Sequence, residues 1–561
     1  MKRTHILLII VSIITLIVPF TDFNPGIKAE EGEYYAKVQK GLTFFRKVYE
    51  RVQSNYVEEI DPYEFIKSGI DGMLSTLDPY TVFIEQEADA RLRIITTGKY
   101  GGLGMEIGMR NNQVTVISPM ENSPAEKAGI TAGDIIEKID GDLVSNLSPE
   151  KISNRLRGPV GSKVKITILR PGFDGEIALD LTREEIVIED VSYADFIHPG
   201  IAYFRLTGFT EKAYTELYKE IERLGNIYKI DYVILDLRGN SGGLLEAAVD
   251  VASIFLPKGT TVVSTRGIRD GEHFFKTTND PLLPDIPMAV MVDGGSASAS
   301  EIVAGALQDL DRAIIVGTET FGKGLVQKVY NIDKDSDTKI KITTAKYYIP
   351  SGRCVQKQDY SKDNAVFFHS ENDTLALSDQ SPGIFYTSNN RQVYEKGGIT
   401  PDRYVPGDSL DYIITELWRN SLPFNFAVKY HSDHPVWEGK FEITDQIFDE
   451  FMKYLSDQHF SYNLEGEREI VKFLDIAGKD NYPDTIREQA KMLQDQLNSI
   501  KQEYLLSRKS SVKEVLFNEF AEKYFGSKDK FKYILKYDKQ IDAAVQTLTD
   551  QPTYRKILAI N

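Results

Sequence analysis

Two unbroken apolar runs, "DYVILDL" from Asp231 and "IPMAVMVD" from Ile286, most constrain how this chain folds. Neither alternates polar with apolar residues, so both read as strands covered on two faces rather than strands with one face in water. A helical pattern follows each, "LLEAAVDVA" after the first and "SEIVAGAL" after the second. Strands alternating with helices from Ile201 to about Pro406 predict parallel strands joined by crossover helices, an α/β core.

The rest of the chain divides around that core. With 561 residues, more than one domain is expected. From residue 30 to 97 apolar residues recur at helical spacing, and a second helix starts at Asp61 with Pro62 at its first position. Residues 98–183 change character: short alternating runs, "QVTVI" and "KVKITIL", enclose one short helix, "SPEKISNRL", and predict a small β-rich module. The core is placed at 184–406. Residues 407–561 are amphipathic, aromatic and charged, and read as a helical extension for packing or regulation.

The net charge of -17 argues against a nucleic-acid partner, because phosphate contacts need clustered Lys and Arg. Lys2 and Arg3 precede an apolar run from Ile6 to Phe20, so residues 1–29 read as a signal peptide with cleavage after Ala29. Ile27, the third residue before that point, is larger than the small residue expected there. The alternative is an uncleaved anchor that holds the chain at a membrane. Either way the chain is expected to be exported, to the periplasm or cell envelope. The single cysteine, Cys354, excludes an internal disulfide, and no cysteine follows the apolar run to carry a lipid.

"GSASASEIVAGALQD", from Gly295 to Asp309, poses the chemical question. Three serines, 296, 298 and 300, crowd a predicted helix start. Ser298 and Glu301 form an S-x-x-E capping box, and on that reading Ser298 does no more than begin a helix. The position also leaves backbone N–H groups unpaired and places a favourable dipole where an oxyanion would form. A serine nucleophile needs a base, and no histidine lies near in sequence. A lysine is the alternative. In "FGKGLVQ", Lys323 stands between Gly322 and Gly324 at the start of a strand-like run, where burial would lower its pKa toward the neutral amine. In a regular strand Lys323 and Gln327 share one face, so the carboxamide would hold the amine. A surface lysine in a glycine turn is the plainer reading.

These segments, with "DLRGNSGG", "KYYIPSGR" and "KGGITPD", resemble the carboxy-terminal processing proteases, the serine-lysine family also called tail-specific proteases. The resemblance runs from about Tyr34 to Pro406. It implies a multidomain α/β chain: a crotonase- or Clp-protease-like α/β serine protease core, an inserted PDZ module, and helical regions at both ends. It implies Ser298 as nucleophile, Lys323 as general base and Gln327 as its orienting group, with Ser296 and Ser300 structural. Gly242 or Gly243, with Ala299, would supply oxyanion-hole N–H groups. No metal or organic cofactor is implied.

The β-rich module resembles a PDZ domain through "YGGLGMEIG" and "SPAEKAGITAGDIIEKIDG". The loop Gly102, Leu103 and Gly104 would capture a free C-terminal carboxylate, and the next strand would offer an edge to an added peptide strand. Ile152 and Leu156 on the short helix are the candidates for the groove wall. Arg157, at that helix's end, would report peptide occupancy to the core, although an arginine there is also favoured by the helix dipole. The expected partners are proteins or peptides with free C-termini, and the helical ends leave a homodimer open. Two other functions fit parts of the pattern. One is a catalytically silent tail-binding scaffold, against which the Ser298, Lys323 and Gln327 set argues. The other is a crotonase-like acyl-CoA enzyme, for which the sequence carries no pocket signal.

Overall fold

The computed structural model describes residues 31–560 apart from 270, 333–337, 359, 361–382, 396, 408–410, 465 and 481. The apolar run 6–20 and the cleavage point after Ala29 lie outside the described residues. Among the described residues, no helix is long and apolar enough to cross a membrane. The chain divides into two compact units, residues 1–73 and 74–561.

The first unit is helical. Helix α1 (Glu31–Asn55) meets α2 (Pro62–Ser75) through Tyr49 stacked on Phe65, ring centroids 5.8 Å apart. Asp61 caps α2 by accepting the N–H groups of Tyr63 and Glu64, each at 2.9 Å. Leu42, Phe44, Phe45 and Val57 are exposed.

The second unit opens with strand β1 (Val82–Ile84) and helix α3 (Gln86–Thr97). Strand β2 (Lys99–Gly102) then leads into the small β-module, built from β3 (Met105–Arg110), β4 (Gln113–Pro119), β5 (Ile135–Ile139), β6 (Asp142–Leu143), β7 (Lys163–Leu169) and β8 (Glu176–Thr182). Two helices, α4 (Pro124–Lys127) and α5 (Pro149–Leu156), lie between these strands in sequence. Strand β3 is an edge of the sheet, whose order is β3-β4-β5-β7-β8. Strand β9 (Glu184–Val187) returns to pair with β2, so the module is entered and left through one two-stranded stem.

The core sheet runs β10 (Val191–His198), β11 (Ile201–Leu206), β12 (Tyr232–Asp236), β15 (Met288–Val292), β16 (Ile314–Gly317), with Arg403–Tyr404 at the edge. From β11 onward neighbouring strands are parallel. Helices α6 (Ala213–Ile227), α7 (Leu245–Ser253) and α8 (Ala299–Asp309) supply the crossovers and bury one face, where Val233, Leu235, Val290 and Val292 pack. Alternation turns Ile234, Ala289 and Met291 to the other face. A second sheet carries β13 (Thr261–Gly267), β14 (Gly271–Lys276), β17 (Leu325–Asn331) and β18 (Lys339–Tyr348), with β1 antiparallel to β18.

The cover for that other face comes from the end of the chain. Helices Lys539–Thr549 and Gln551–Ile557 place Ile541, Ala544, Leu548 and Tyr554 against Ile234, Met291 and Val316. The Tyr554 hydroxyl accepts the Met288 N–H at 3.0 Å, and Arg238 meets Asp538 at 2.7 Å. Sequence separates a core at 184–406 from an extension at 407–561, whereas the packing assigns the last helices to the core. The intervening helices, Tyr412 to Asp529, bury their own cluster around Phe448, Phe451 and Phe520. They also meet the β-module: Lys523 Nζ donates to the Ala132 carbonyl at 2.8 Å, and a Cβ at Gly133 would lie 2.6 Å from Val428.

Leu548 is fully buried under the sheet. Leu548→Ala is expected to cost about 2–5 kcal/mol and to speed amide exchange in β12 and β15. Val471→Ala, at a surface site of helix Glu467–Lys479, is expected to change stability by less than about 0.5 kcal/mol. Denaturant unfolding followed by hydrogen exchange checks both.

Candidate active site

Strands β12 and β15 are adjacent and parallel, so the turns at their carboxyl ends meet. The turn after β12 carries Gly242 and Gly243, and the turn after β15 carries the three serines. Two of those serines join the turns. Ser296 donates its hydroxyl to the Leu237 carbonyl and Ser300 donates to the Asn240 carbonyl, each at 2.8 Å and fully buried. The Ala297 N–H reaches the same Asn240 carbonyl at 3.0 Å. Ser298 differs: it is only partly buried. Its backbone has φ 56°, ψ -111°, a left-handed conformation that a residue with a Cβ rarely adopts. That conformation sets Ser298 apart from the helix it begins.

Gly242 lies against this turn closely enough that a Cβ there would be 2.9 Å from both the Ala299 nitrogen and Ser298 Cβ. Only glycine fits. The Gly242 N–H is already donated to Asn240 Oδ1 at 2.9 Å. The N–H groups of Gly243 and Ala299 meet no acceptor among the described residues. The structure therefore leaves Gly243, rather than Gly242, with a free donor beside Ala299.

Glu301 organises the site. It is fully buried in the first turn of α8. Its Oε2 accepts the N–H of Ser298 at 2.8 Å and of Lys323 at 2.9 Å. Its Oε1 accepts the N–H of Gly322 at 2.8 Å and the Thr320 hydroxyl at 2.6 Å. Sequence marks Glu301 only as the far arm of a capping box; its grip on the segment 320–323 is long-range and carries no local signal. Tyr347, within "KYYIPSGR", adds a second tie, its buried hydroxyl bonding the carbonyls of Lys323 and Ser298.

Lys323 lies before β17, not within it, and the register of β17 against β18 shifts between Val326 and Gln327. Such an irregularity re-aims side chains. The Gln327 carboxamide consequently donates to Thr343 Oγ1 at 3.3 Å. Among the described residues, no hydrogen bond joins Lys323 Nζ to Gln327 or to Ser298. The amine lies over the Tyr80 ring, 4.6 Å from its centroid. Burial, and then the nearby Lys341 charge, push the Lys323 pKa below the ordinary lysine value.

In the β-module the carbonyls of the glycine loop are held from behind. Leu103 accepts the Ala125 N–H at 2.9 Å, and Gly104 accepts the Met120 N–H and the Ser123 hydroxyl, each at 2.8 Å. The N–H groups of Leu103 and Gly104 meet no acceptor among the described residues. Gly102, last residue of β2, pairs with Glu184. Gly101 is required sterically, because a Cβ there would come within 2.1 Å of the Gly158 carbonyl. Ile152 and Leu156 are not on an open groove: the helical period turns both into the module's core, 1% and 6% exposed. Arg157 stacks over Tyr100 at 5.2 Å.

An α/β core with a serine at a strained helix start and an inserted β-module fits the class of PDZ-bearing serine peptidases. Comparison with known proteins agrees. A family profile described as "Peptidase family S41" matches residues 200–366, and one described as "PDZ domain" matches 115–170. "Probable PDZ-protease, C-terminal helical domain" matches 413–548, and "Activating protease CtpB N-terminal domain" matches 24–88. The carboxy-terminal-processing protease of Bartonella bacilliformis is 41% identical over 58% of this chain and 75% of its own. The carboxyl-terminal-processing protease of Synechocystis sp. is 38% identical over 53% of this chain and 70% of its own. Among solved structures, a photosystem II D1 C-terminal processing protease is 26% identical, covering 65% of this chain and 93% of that one with a TM-score of 0.35. The chain belongs to the carboxy-terminal processing proteases of peptidase family S41, and it is a serine-type peptidase with a PDZ domain.

Glu301→Gln keeps the volume but turns one oxygen into an amide donor facing donors. It is expected to cost about 1–3 kcal/mol and to slow cleavage at least tenfold while Ser298 and Lys323 remain in place. Thermal unfolding and turnover of the purified variant measure the two effects.

Proposed function

We propose that this chain is an exported endopeptidase that binds the free C-terminal tail of a protein substrate on its PDZ module and cleaves peptide bonds at Ser298. The observation that carries the reading is the shared anchor: one buried carboxylate, Glu301, accepts the backbone N–H groups of both Ser298 and Lys323. A serine and a lysine distant in sequence are thereby held to one point. In the proposed reaction Ser298 Oγ attacks the scissile carbonyl and its proton passes to the neutral Lys323 amine. The oxyanion is stabilised by the N–H groups of Gly243 and Ala299. Collapse expels the new amino terminus, protonated by Lys323, and leaves an acyl ester on Ser298. Water then attacks the ester, its proton taken by Lys323; the acyl–Oγ bond breaks, Lys323 returns the proton to Ser298 Oγ, and the new carboxyl terminus leaves. Gln327 acts on the lysine indirectly, through Thr343.

Tail capture rests on the open N–H groups of Leu103 and Gly104, with β3 as the edge to which the peptide adds. Export rests on Lys2, Arg3 and the apolar run to Phe20, which if uncleaved would also hold the chain at a membrane. A homodimer would form through the exposed Leu42, Phe44, Phe45 and Val57 of the first unit.

Ser298→Ala is expected to abolish cleavage of an unstructured protein with an apolar C-terminus, followed by mass. Ser296→Ala is expected to keep substantial activity, since its hydroxyl is buried against Leu237. Equal loss in both would reject Ser298 as nucleophile.

Because the neutral amine is the active form and its pKa lies below the ordinary lysine value, the rate is expected to rise with pH and level off before that value. Lys323→Arg, which keeps a charge that cannot be lost at working pH, is expected to inactivate as fully as Lys323→Ala. Amidating the substrate tail removes the charge that the loop N–H groups would meet. It is expected to weaken capture by roughly 5- to 150-fold, about 1–3 kcal/mol, read as slower cleavage at low substrate concentration. Indifference to amidation would point to a PDZ module that serves only as a spacer.

A further inference from the structure

The segment "LDPYTVF", before and within β1, is built to present one ring. Asp78 Oδ1 accepts the N–H groups of Tyr80 and Thr81, each at 2.8 Å, and Asp78 Oδ2 accepts the Thr81 hydroxyl at 2.9 Å. This turn fixes the backbone on either side of Tyr80. Strand β1 then pins the turn to β18, Val82 opposite Lys341, and the Thr343 N–H donates to Thr81 Oγ1 at 3.2 Å. Thr343 also receives Gln327. A continuous set of hydrogen bonds therefore runs from Gln327 through Thr343 and Thr81 to Asp78, and ends at the turn that holds Tyr80 under Lys323. The ring face carries negative charge density, and Nζ stands 4.6 Å from its centroid, inside the range of a cation–π contact.

We propose that Tyr80 is a positioning residue for the general base: its ring seats the Lys323 ammonium and raises the pH at which the amine becomes free to accept the Ser298 proton. The inference rests on Lys323 being that base. Every charged or titratable neighbour takes a side. Lys341 from β18 and burial favour the neutral amine, while Glu301 from α8 and Asp78 from the turn favour the ammonium. Tyr347, also on β18, holds the Lys323 carbonyl rather than the amine. Tyr360 stands edge-on to Tyr80, ring centroids 6.1 Å apart, and is not among the groups that shift the lysine. The ring adds to the ammonium side and is the one contributor with no charge of its own, so it can be removed without adding or deleting an ion.

Removing the ring stabilisation lowers the lysine pKa, so the acid limb of the rate profile moves to lower pH. In the full chain, Tyr80→Leu is expected to move the midpoint of kcat/KM against pH down by roughly 0.4 to 1.5 pH units, whereas Tyr80→Phe, which keeps the ring, keeps the wild-type midpoint. A direct readout needs no turnover: NMR titration of the Lys323 side chain in a Ser298→Ala background, assigned by loss of the signal in Lys323→Arg, should show the same shift on adding Tyr80→Leu. A Tyr80→Leu chain that loses rate evenly at all pH values, with the lysine titration unmoved or moved up, overturns the proposal. If Lys323→Ala still cleaves, the base reading falls instead, and the NMR titration alone decides whether Tyr80 seats the amine.

Discussion

One buried carboxylate holds the catalytic end of this molecule together. Leaving Glu301 in the interior without partners would cost several kcal/mol, and four donors, from Ser298, Thr320, Gly322 and Lys323, offset that cost. Burial pushes its pKa up, and the hydrogen bonds act in the opposite direction. Thr320 extends the set by accepting the Ile399 N–H at 2.6 Å, which brings the "GGITPD" segment to the same point. The start of α8, the segment 320–323 and the return from residue 398 cannot shift separately without stranding a buried polar group. That is why a serine and a lysine from different elements keep one relation to each other without any direct bond between their side chains.

A similar economy governs the larger parts. The core sheet has two apolar faces because Val233 to Leu235 of β12 and every residue of β15 are apolar, and its crossover helices cover only one. The end of the chain covers the other, through Ile541, Leu548 and Tyr554. On the way there the same stretch of helices touches the PDZ module at Ala132 and Gly133, and Lys528 meets Glu189 just beyond the module's stem, at 3.3 Å. The module thus has two attachments, the β2–β9 stem and the helices after residue 412. Any rotation of the module about its stem must break the second attachment, so the helical segment is a mechanical restraint on the PDZ module and not a separate ornament.

How much of this was legible in sequence depends on the range of the interaction. The parallel core, the β-module and the serine turn follow from local periodicity and glycine placement, and the structure has them. The double use of Glu301 was half legible: S-x-x-E announces the capping arm, but nothing near Glu301 announces Gly322 or Lys323. Strand alternation puts Gln327 on the face of Lys323 only in a regular strand, and the register shift after Val326 turns the carboxamide to Thr343. The apolar character of Ile152 and Leu156 suggests groove walls, yet in so short a helix the apolar positions are the ones the module needs for its own core. The place of Tyr80 under Lys323 and of the last helices under the sheet carries no sequence signal, for one reason. Each acts on a part of the chain far from it in sequence, and no local pattern encodes the far partner.

The Ser298 backbone gives the same network a further meaning. A non-glycine residue at positive φ with ψ near -111° costs about 1–3 kcal/mol and persists only where its surroundings over-determine it. Here they do. On one side the Ala297 N–H is fixed to Asn240, on the other the Ile302 N–H holds the Ser298 carbonyl at 3.0 Å, and Glu301 takes the Ser298 N–H itself. Ser298 stands at the helix start without helical backbone angles, and the Ala299 N–H that follows it meets no acceptor among the described residues. The hydrogen bonds of the buried Ser296 and Ser300 hydroxyls tie the same turn to the segment 237–240 on either side of Ser298.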